Sequence, residues 1–529
     1  MKTYYSKFKR TVLTFVMMIL VFSASAQNNV WELFENSYWV INSMRLPNGM
    51  YRDSKVVRQG WTDYHPISVA NVGVGLISVC IADRAGFESN GQNKVTQTLE
   101  TILGYTSGFN PDTNASGYYR HFLDPVTGAN AWNSEYSTID AAILVSGALF
   151  AKNYYNGNWY IGYLADQLFN SIDWSRSVYN GTTGEIYLEM GANGYGFGQA
   201  TMPFNEYMIV ANLARIQDVG GNGIGTQAWN TWTNLGQFDN ANYWGYPLLT
   251  DDPNGNHFIS DFTVQFPYYY VNWATTSVTY NNYMRNAMNA DRRYYNNINN
   301  QFPDRQGHEW GLGAGSNPGG YNADAINDHP YHIVSPHIMA GYLALDNNIY
   351  NDLVTQLSQN KSDYYLSNGL EFQWRYSLDN PAWRSNDVQG VDYSTMLFGL
   401  AQYFYPGFFQ SYNSYGPLIN TTASNSRTAN EVEESREREE KPGLVSESSI
   451  YPNPAQRQIT VEYSRGQIGA FKLEIFDLAG RKFHTEYEEE QSAGLHQRKL
   501  DLNDLPRGEY IIRYMIGDKV ISKKLSKTN

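Results

Sequence analysis

The sequence is short of the residues that would tie it to several common classes. It holds one cysteine, Cys80, in 529 residues. A lone thiol forms no intrachain disulfide and no thiolate metal cluster, and its place in the apolar run Val79-Cys80-Ile81 marks it as core packing. Charged residues make up only 17%, and the surplus of acids leaves a net charge of -13. That field has the wrong sign for nucleic acid or an anionic membrane surface, so neither is expected as a partner. Beyond the N-terminal segment no stretch approaches the ~20 consecutive apolar residues that cross a bilayer. G-x-S-x-G, phosphate-loop and dinucleotide fingerprints are all missing, which removes the motif-based case for a serine nucleophile or a nucleotide cofactor. What is present is 42% hydrophobic residues, enough for roughly three domains or for one large toroid or barrel with a smaller companion. Aromatics at 15% nearly equal the charged residues, with 43 Tyr and 13 Trp. Such rings either fill helix interfaces or wall a wet, sugar-like site, and composition leaves both open.

The two ends of the chain differ from its middle. Lys2, Lys7, Lys9 and Arg10 precede an apolar stretch from Val12 to Phe22 and then Ala24-Ser25-Ala26, the pattern of an export signal over 1–26 that leaves a soluble mature chain from Gln27. At the other end, 420–446 carries no aromatics and holds the mixed-charge run from Glu431 to Lys441, which cannot bury a core and reads as an acidic, disordered linker. From 447 to 529, alternating segments such as Gln458 to Tyr463, Phe471 to Phe476 and Tyr510 to Tyr514 predict a small all-β sandwich. This segment carries Ile450-Tyr451-Pro452-Asn453-Pro454, then Phe476-Asp477-Leu478-Ala479-Gly480-Arg481, then Gly508-Glu509-Tyr510-Ile511-Ile512-Arg513. In those three ordered motifs it resembles the C-terminal sorting domain of the type IX secretion system of Bacteroidetes. The resemblance implies the type IX machinery as a partner, export across both membranes, and a secreted or cell-surface protein.

Between the ends, apolar residues recur at helical spacing over Val30 to Met44, Ile67 to Ala85, Ile139 to Tyr154, Trp159 to Ile172, Tyr207 to Ile216, Ile333 to Leu345 and Ser394 to Phe404. About twelve helices of ordinary length fit into 27–419, which suits six helical hairpins closed into an (α/α)6 toroid. The expected fold is therefore mainly α, a toroid followed by a small β-sandwich.

Polar and aromatic residues are densest at Gly117 to Asp124 and at Asn133 to Asp140. Glu135 and Asp140 lie about 140° apart on a helix, so they share a pocket only if Glu135 sits on the loop before it. Ser137-Thr138-Ile139-Asp140 is a capping-box pattern that starts the helix at Ser137, and Asp140 either serves that pocket or simply caps its own helix. The run Tyr119-Arg120-His121-Phe122-Leu123-Asp124 through Ser134 to Ala142 resembles the glycoamylase-like proteins, most closely glycoside hydrolase family 144, the endo-β-1,2-glucanases. Four more segments fall in order: His65 to Gly73, Phe204-Asn205-Glu206-Tyr207-Met208-Ile209, Glu309-Trp310-Gly311-Leu312 and Gly390-Val391-Asp392-Tyr393.

The resemblance implies a toroid that cleaves an oligo- or polysaccharide, a β-glucan and specifically β-1,2-glucan, with inversion and with no metal or other cofactor. Inversion needs one protonated and one ionised carboxyl on opposite faces of the bond, with room for water between. Glu135, Asp140, Glu206 and Asp392 stand in the matched motifs. Glu206, between Pro203-Phe204-Asn205 and an apolar helix, is read as the general acid raised by partial burial; a first-turn glutamate favouring the helix dipole is the plainer role. Asp392 or Asp140 is then the base and Glu135 a positioning group. Sugar faces and hydroxyls would be met by Tyr119, Arg120, His121, Asp124, Trp310, His332, Trp374 and Arg375, with Trp310 favoured because the glycines after it suggest an open loop. Where the family continues toward an Ala-Ser-Asp and an Asp-Gly-Thr-x-Ala-Pro segment, this chain has Gly311 to Ser316 and Pro330 to His337 without the acids. That departure admits a subfamily with a different glucan or a different cleavage mode, and it motivates a second reading, a non-catalytic surface glycan-binding protein. A third is a polysaccharide lyase, since helical toroids also host lyases, and the acidic charge and the want of an Arg/Lys cluster beside the motifs disfavour it. The spacing of His329, His332 and His337 does not suit zinc.

Overall fold

The computed structural model describes residues 30–58, 65–238, 240–250, 259–359, 361–415, 448–465, 469–477, 482–491, 494–516 and 519–528. The signal segment 1–26 and the linker 420–446 lie outside these residues. The chain separates into a large helical unit and a smaller unit built mostly from the C-terminal strands.

Six helices form the inside of the helical unit: Val69–Ala85, Thr138–Tyr154, Met208–Gln217, Phe262–Tyr270, Pro336–Gly341 and Gly390–Phe404. Each touches the next, and the last returns to the first. The link from the fourth to the fifth is made by Gln265 Nε2 donating to the Ile338 carbonyl (2.8 Å) and Tyr269 OH donating to that of Gly341 (2.6 Å). These helices are buried nearly all round, as Val69 to Ala82 shows, and their sequences are correspondingly apolar without a polar face.

A second helix backs each of them. Gly91–Ile102, Ile224–Trp232, Val278–Asn297 and Ile349–Leu357 pack on the first, third, fourth and fifth. The helix at 30–42 meets the sixth through Phe34 on Phe404 (5.3 Å) and Ser37 against Tyr393. Trp159–Asn170 is tied to the second by Lys152 and Asp166 (2.6 Å). Side-chain caps set several starts: Ser68, Ser137 and Ser277 each accept the N–H three residues on.

The segment Ile333 to Leu345 is not one helix. Ile333–Val334 is a strand paired with Tyr376–Ser377, and the helix begins at Pro336, because proline donates no N–H and holds Ser335 extended. The helix Val278–Asn297 shows no aliphatic periodicity, because its buried stripe consists of Tyr280, Met284, Ala287, Met288, Ala290, Asp291 and Tyr295 in an otherwise polar segment. Short hairpins fill the connections, including Glu185–Met190 with Gly196–Thr201 and Ala314–Asn317 with Gly320–Ala323.

In the smaller unit, Ser448–Tyr451, Gln458–Arg465 and Gly494–Asp501 form one antiparallel sheet, and Lys482–Gln491, Gly469–Asp477, Gly508–Ile516 and Lys519–Lys527 another. Alternate residues such as Ile459, Val461, Tyr463, Leu473, Ile475, Ile512 and Tyr514 enter one common cluster, as the period of two requires.

The helical circuit closes tightly at glycines. A Cβ on Gly147 would sit 2.3 Å from the Gly73 carbonyl oxygen, and one on Gly399 would overlap that of Ala340. Gly147→Ala should therefore lower stability by about 1–3 kcal/mol in spite of alanine's better helix propensity. Gly162→Ala, on an outer helix with only Lys152 nearby, should raise it by up to about 1 kcal/mol. Denaturant unfolding of the two variants beside the parent checks the opposite signs.

Candidate active site

The N-terminal ends of the circuit helices converge. Ser68 and Ala70, Ile139 and Asp140, Glu206, Phe262, and then Gln389, Val391 and Asp392 line one cleft of about 1050 Å³. Every one lies at, or within a residue or two of, the start of a circuit helix, where the helix dipole favours negative charge. Three of the four carboxylates expected from the sequence, Asp140, Glu206 and Asp392, are brought together there. Glu135 lies on the loop before its helix and lines a smaller cavity of about 480 Å³ that shares His121 and Asp140 with the first.

Asp392 is buried in the first turn of Gly390–Phe404. Tyr321, on the hairpin Gly320–Ala323, donates its hydroxyl to both carboxylate oxygens (3.2 and 3.1 Å). Burial pushes the Asp392 carboxyl up to about 7, against the opposing pull of Arg375 and the Tyr321 hydroxyl. Arg375 itself is fully buried and paired with Asp324, so its charge is a fixed feature beneath the site.

His121 bridges two of the acids, with Nδ1 2.9 Å from Glu135 and Nε2 3.5 Å from Asp140. Burial disfavours its charge, but Asp140, Glu135 and Asp53 outweigh that and lift the imidazole to about 9. The His121 hydrogen bond in turn holds Glu135 below the usual carboxylate range. Asp140 also accepts the Ser137 hydroxyl, while Ser137 caps the helix by accepting the Asp140 N–H, so the carboxylate is held by the cap residue and faces the cleft. His121, Glu135 and Asp140 each offer a ligand atom within 4.8 Å of the others, the one such group among the described residues. A metal there would require His121 to give up a proton and one of its two carboxylate partners.

The other expected sugar contacts are placed differently. Tyr119 is buried, donating to the Ile102 carbonyl (3.1 Å). Trp310 is only 1% exposed: Tyr342 stacks on its ring (6.0 Å) and Arg292 lies 4.6 Å over its face, while Gly311 after it brings the backbone against Ser335. Trp374 packs in the core, its ring tilted against that of His337 (4.6 Å). Arg120 lies over Tyr136 (3.7 Å), pairs with Asp112 and donates to the Ser134 carbonyl (2.7 Å), so it shapes the loop that carries Glu135. Asp124 accepts from Val126 and Thr127 in a surface turn. His332 pairs with Asp379 (2.8 Å), outside the cleft lining, while His329 hydrogen-bonds Tyr294 and Ile333. Of these sugar candidates, His121 alone lines the cleft.

Several lining residues had not been singled out. Asp53, raised by burial against the opposing charges of His121 and His65, adds a fourth acid. Asp387 accepts from Ser316 (2.9 Å) and Gln389 (2.8 Å). The exposed rings belong to Trp132, 58% open and held in the left-handed backbone region, and to Tyr321, 62% open. Trp132 stands edge-on to Phe122 (5.0 Å), which stacks on His121 (3.8 Å). A signal for Trp132 existed, since it lies between the two densest polar clusters; Asp53 and Asp387 had none, their place being set by the pairing of Ser54–Val56 with Asp387–Gln389.

Comparison with known proteins bears on both units. Residues 200–412 match the family model "Putative glucoamylase", and residues 449–528 match "Secretion system C-terminal sorting domain". No curated protein matches the sequence. Among solved structures, a putative glucoamylase from Bacteroides caccae superposes with a TM-score of 0.62 at 17% identity, over 73% of this chain and 95% of its own. The endo-β-1,2-glucanase from Chitinophaga pinensis, in complex with sophorotriose and glucose, gives 0.60 at 16% identity over 73% and 94%. A β-1,2-glucanase from Parabacteroides distasonis gives 0.60 at 14% identity over 74% and 59%. The helical unit therefore has the fold of these proteins and contains a glucoamylase-family domain at 200–412, and residues 449–528 are a secretion-system sorting domain that directs the chain to the cell surface or beyond it.

Proposed function

We propose that the helical unit is a glycoside hydrolase that cuts a β-glucan, β-1,2-glucan in the first instance, by an inverting two-carboxylate mechanism. The observation that carries this reading is the meeting of Glu206, Asp140 and Asp392, from the starts of three different helices, in one cleft bordered by the exposed rings of Trp132 and Tyr321. Glu206 protonates the leaving oxygen. Asp392 activates the water, because a carboxylate poised near neutrality is the strongest base that is still largely ionised at working pH. Asp140 and Glu135, linked through the His121 imidazolium, hold sugar hydroxyls or water in position. Trp132 supplies a flat face for the apolar side of a pyranose. No metal or cofactor enters the mechanism. We further read the circuit of six helices with its outer partners as an (α/α)6 toroid over 27–419, the C-terminal sheets as a sandwich over 447–529, 1–26 as a signal peptide and 420–446 as a linker. On this reading the substrate is met outside the cell, after export through the type IX machinery.

Incubation of the full chain with β-1,2-glucan should release reducing oligosaccharides. Glu206→Gln should lower kcat by about 10²- to 10⁴-fold with little change in KM, the usual worth of a positioned acid. Tight binding by the parent protein without products would overturn the hydrolase reading in favour of a glycan-binding protein, and unsaturated, ultraviolet-absorbing products would assign a lyase.

The pH profile tests the base. The Asp392 carboxyl must be ionised, so kcat/KM should rise with pH through about 7. The Tyr321 hydroxyl bond lowers that value, so Tyr321→Phe should move the rising limb to higher pH. A limb that stays in place in the variant would remove Asp392 from the role.

A further inference from the structure

Beside the cleft lies a second cavity of about 1050 Å³. Arg58 and Trp383 line both, so the two share a wall. The second cavity is built on the hairpin of Asp363–Tyr365 with Glu371–Gln373, on strand Ser54–Val56, and on the loop that leads into Asp387–Gln389.

Its charge is opposite to that of the protein. The chain as a whole has a net charge of -13, yet the lining gathers Lys55, Arg58 and Arg384 against one carboxylate, Asp363, among the described residues. That carboxyl is pushed up to about 6 by burial and by Glu371 beside it, so near neutrality it still carries most of its charge, one acid against three cations in the lining. Arg58 donates to the Asn386 side chain (3.2 Å), and Arg384 to the carbonyls of Pro381 (3.0 Å) and Trp383 (2.8 Å). Both guanidinium groups are thus held by neutral acceptors. A guanidinium so held keeps a full charge and spare N–H groups, and its planar fork suits a carboxylate or phosphate group better than a hydroxyl. Filling the cavity with an uncharged ligand would strip water from these two guanidinium groups and return no counter-charge. The walls also carry flat rings: Tyr365 is 53% exposed, and Trp383 stands on the shared wall.

We propose that this second cavity is a subsite for a glycan chain bearing an acidic substituent, with Lys55, Arg58 and Arg384 taking the anion and Tyr365 and Trp383 the sugar faces. The inference rests on the reading of the neighbouring cleft as a glycan site. It makes the preferred polymer one whose chain passes the catalytic carboxylates and carries a charged group a few sugars away. The cluster could not be seen along the sequence, since its members come from three separate stretches and are drawn together by strand pairing between Ser54–Val56 and Asp387–Gln389.

The test uses the full chain with neutral β-1,2-glucan and with the same polymer carrying succinyl half-esters. At low ionic strength kcat/KM should be about ten-fold higher on the succinylated polymer, and the advantage should shrink as salt screens the charges. In Lys55→Gln/Arg384→Gln the ratio between the two polymers should fall to about one, and in Lys55→Arg/Arg384→Lys, which keeps the charges, most of the ratio should remain. Equal kcat/KM on both polymers in the parent protein, or a preference that survives the charge-removing variant, overturns the proposal. If neither polymer is cut, the hydrolase reading alone falls. Slower migration of the chain in native gels containing succinylated but not neutral glucan, lost in the charge-removing variant, then still supports the subsite, and equal retardation by the two polymers sinks it.

Discussion

Where Val69–Ala85 crosses Thr138–Tyr154, the backbones touch: Gly73 and Gly147 face one another with no room for a side chain on either. The same closeness recurs where Gly399 meets Ala340. These contacts bring the circuit helices near enough for their N-terminal ends to gather around one opening. The cleft exists because of that convergence, and Asp140, Glu206 and Asp392 are carried on or beside helix starts, where the dipole eases their negative charge, while Asp53 and Asp387 come from the strand pair beside them. Aliphatic residues at those glycines would push the helix ends apart and with them the carboxylates.

Beneath the cleft the electrostatics are layered. Arg375 and Asp324 form a fully buried pair; Arg375 in turn opposes the rise that burial imposes on Asp392. On the other side His121 acts as a cationic bridge between Glu135 and Asp140. The acids of the two adjoining cavities thus sit in different environments, Asp392 poised near neutrality and Glu135 held below the usual carboxylate range by its His121 hydrogen bond. Such divergence is what acid and base roles require of chemically identical groups. The second cavity extends the pattern: its cations are a local exception in an acidic protein, and only a specific arrangement produces such an exception.

Much of this was legible in the chain. Ser137 caps its helix as the Ser-x-x-Asp spacing indicated, the strands of the C-terminal unit follow the alternation of Gln458 to Tyr463 and Phe471 to Phe476, and Asp140, Glu206 and Asp392 lie at or beside helix starts. The aromatics were the weaker part. Trp310 and Trp374 lie in the core while Trp132 borders the opening, because a ring's exposure depends on which segments fold over it. Glycines after Trp310 suggest an open loop, whereas they permit close backbone approaches such as Gly311 on Ser335, and Tyr342 and Arg292 lie on the ring.

By itself the sequence determined the local quantities: where several helices start, which stretches alternate, that the C-terminal segment is a sorting domain, and which carboxylates sit at helix starts. Those follow from short-range sterics and hydrogen bonding, which act within a few residues. The tertiary structure alone decided which of those carboxylates share a cleft, that Asp53 and Asp387 join them, that Tyr321 reaches Asp392, and that Lys55, Arg58 and Arg384 form one patch. These depend on closing a ring of helices and pairing strands more than three hundred residues apart, and no local rule encodes a distance of that kind.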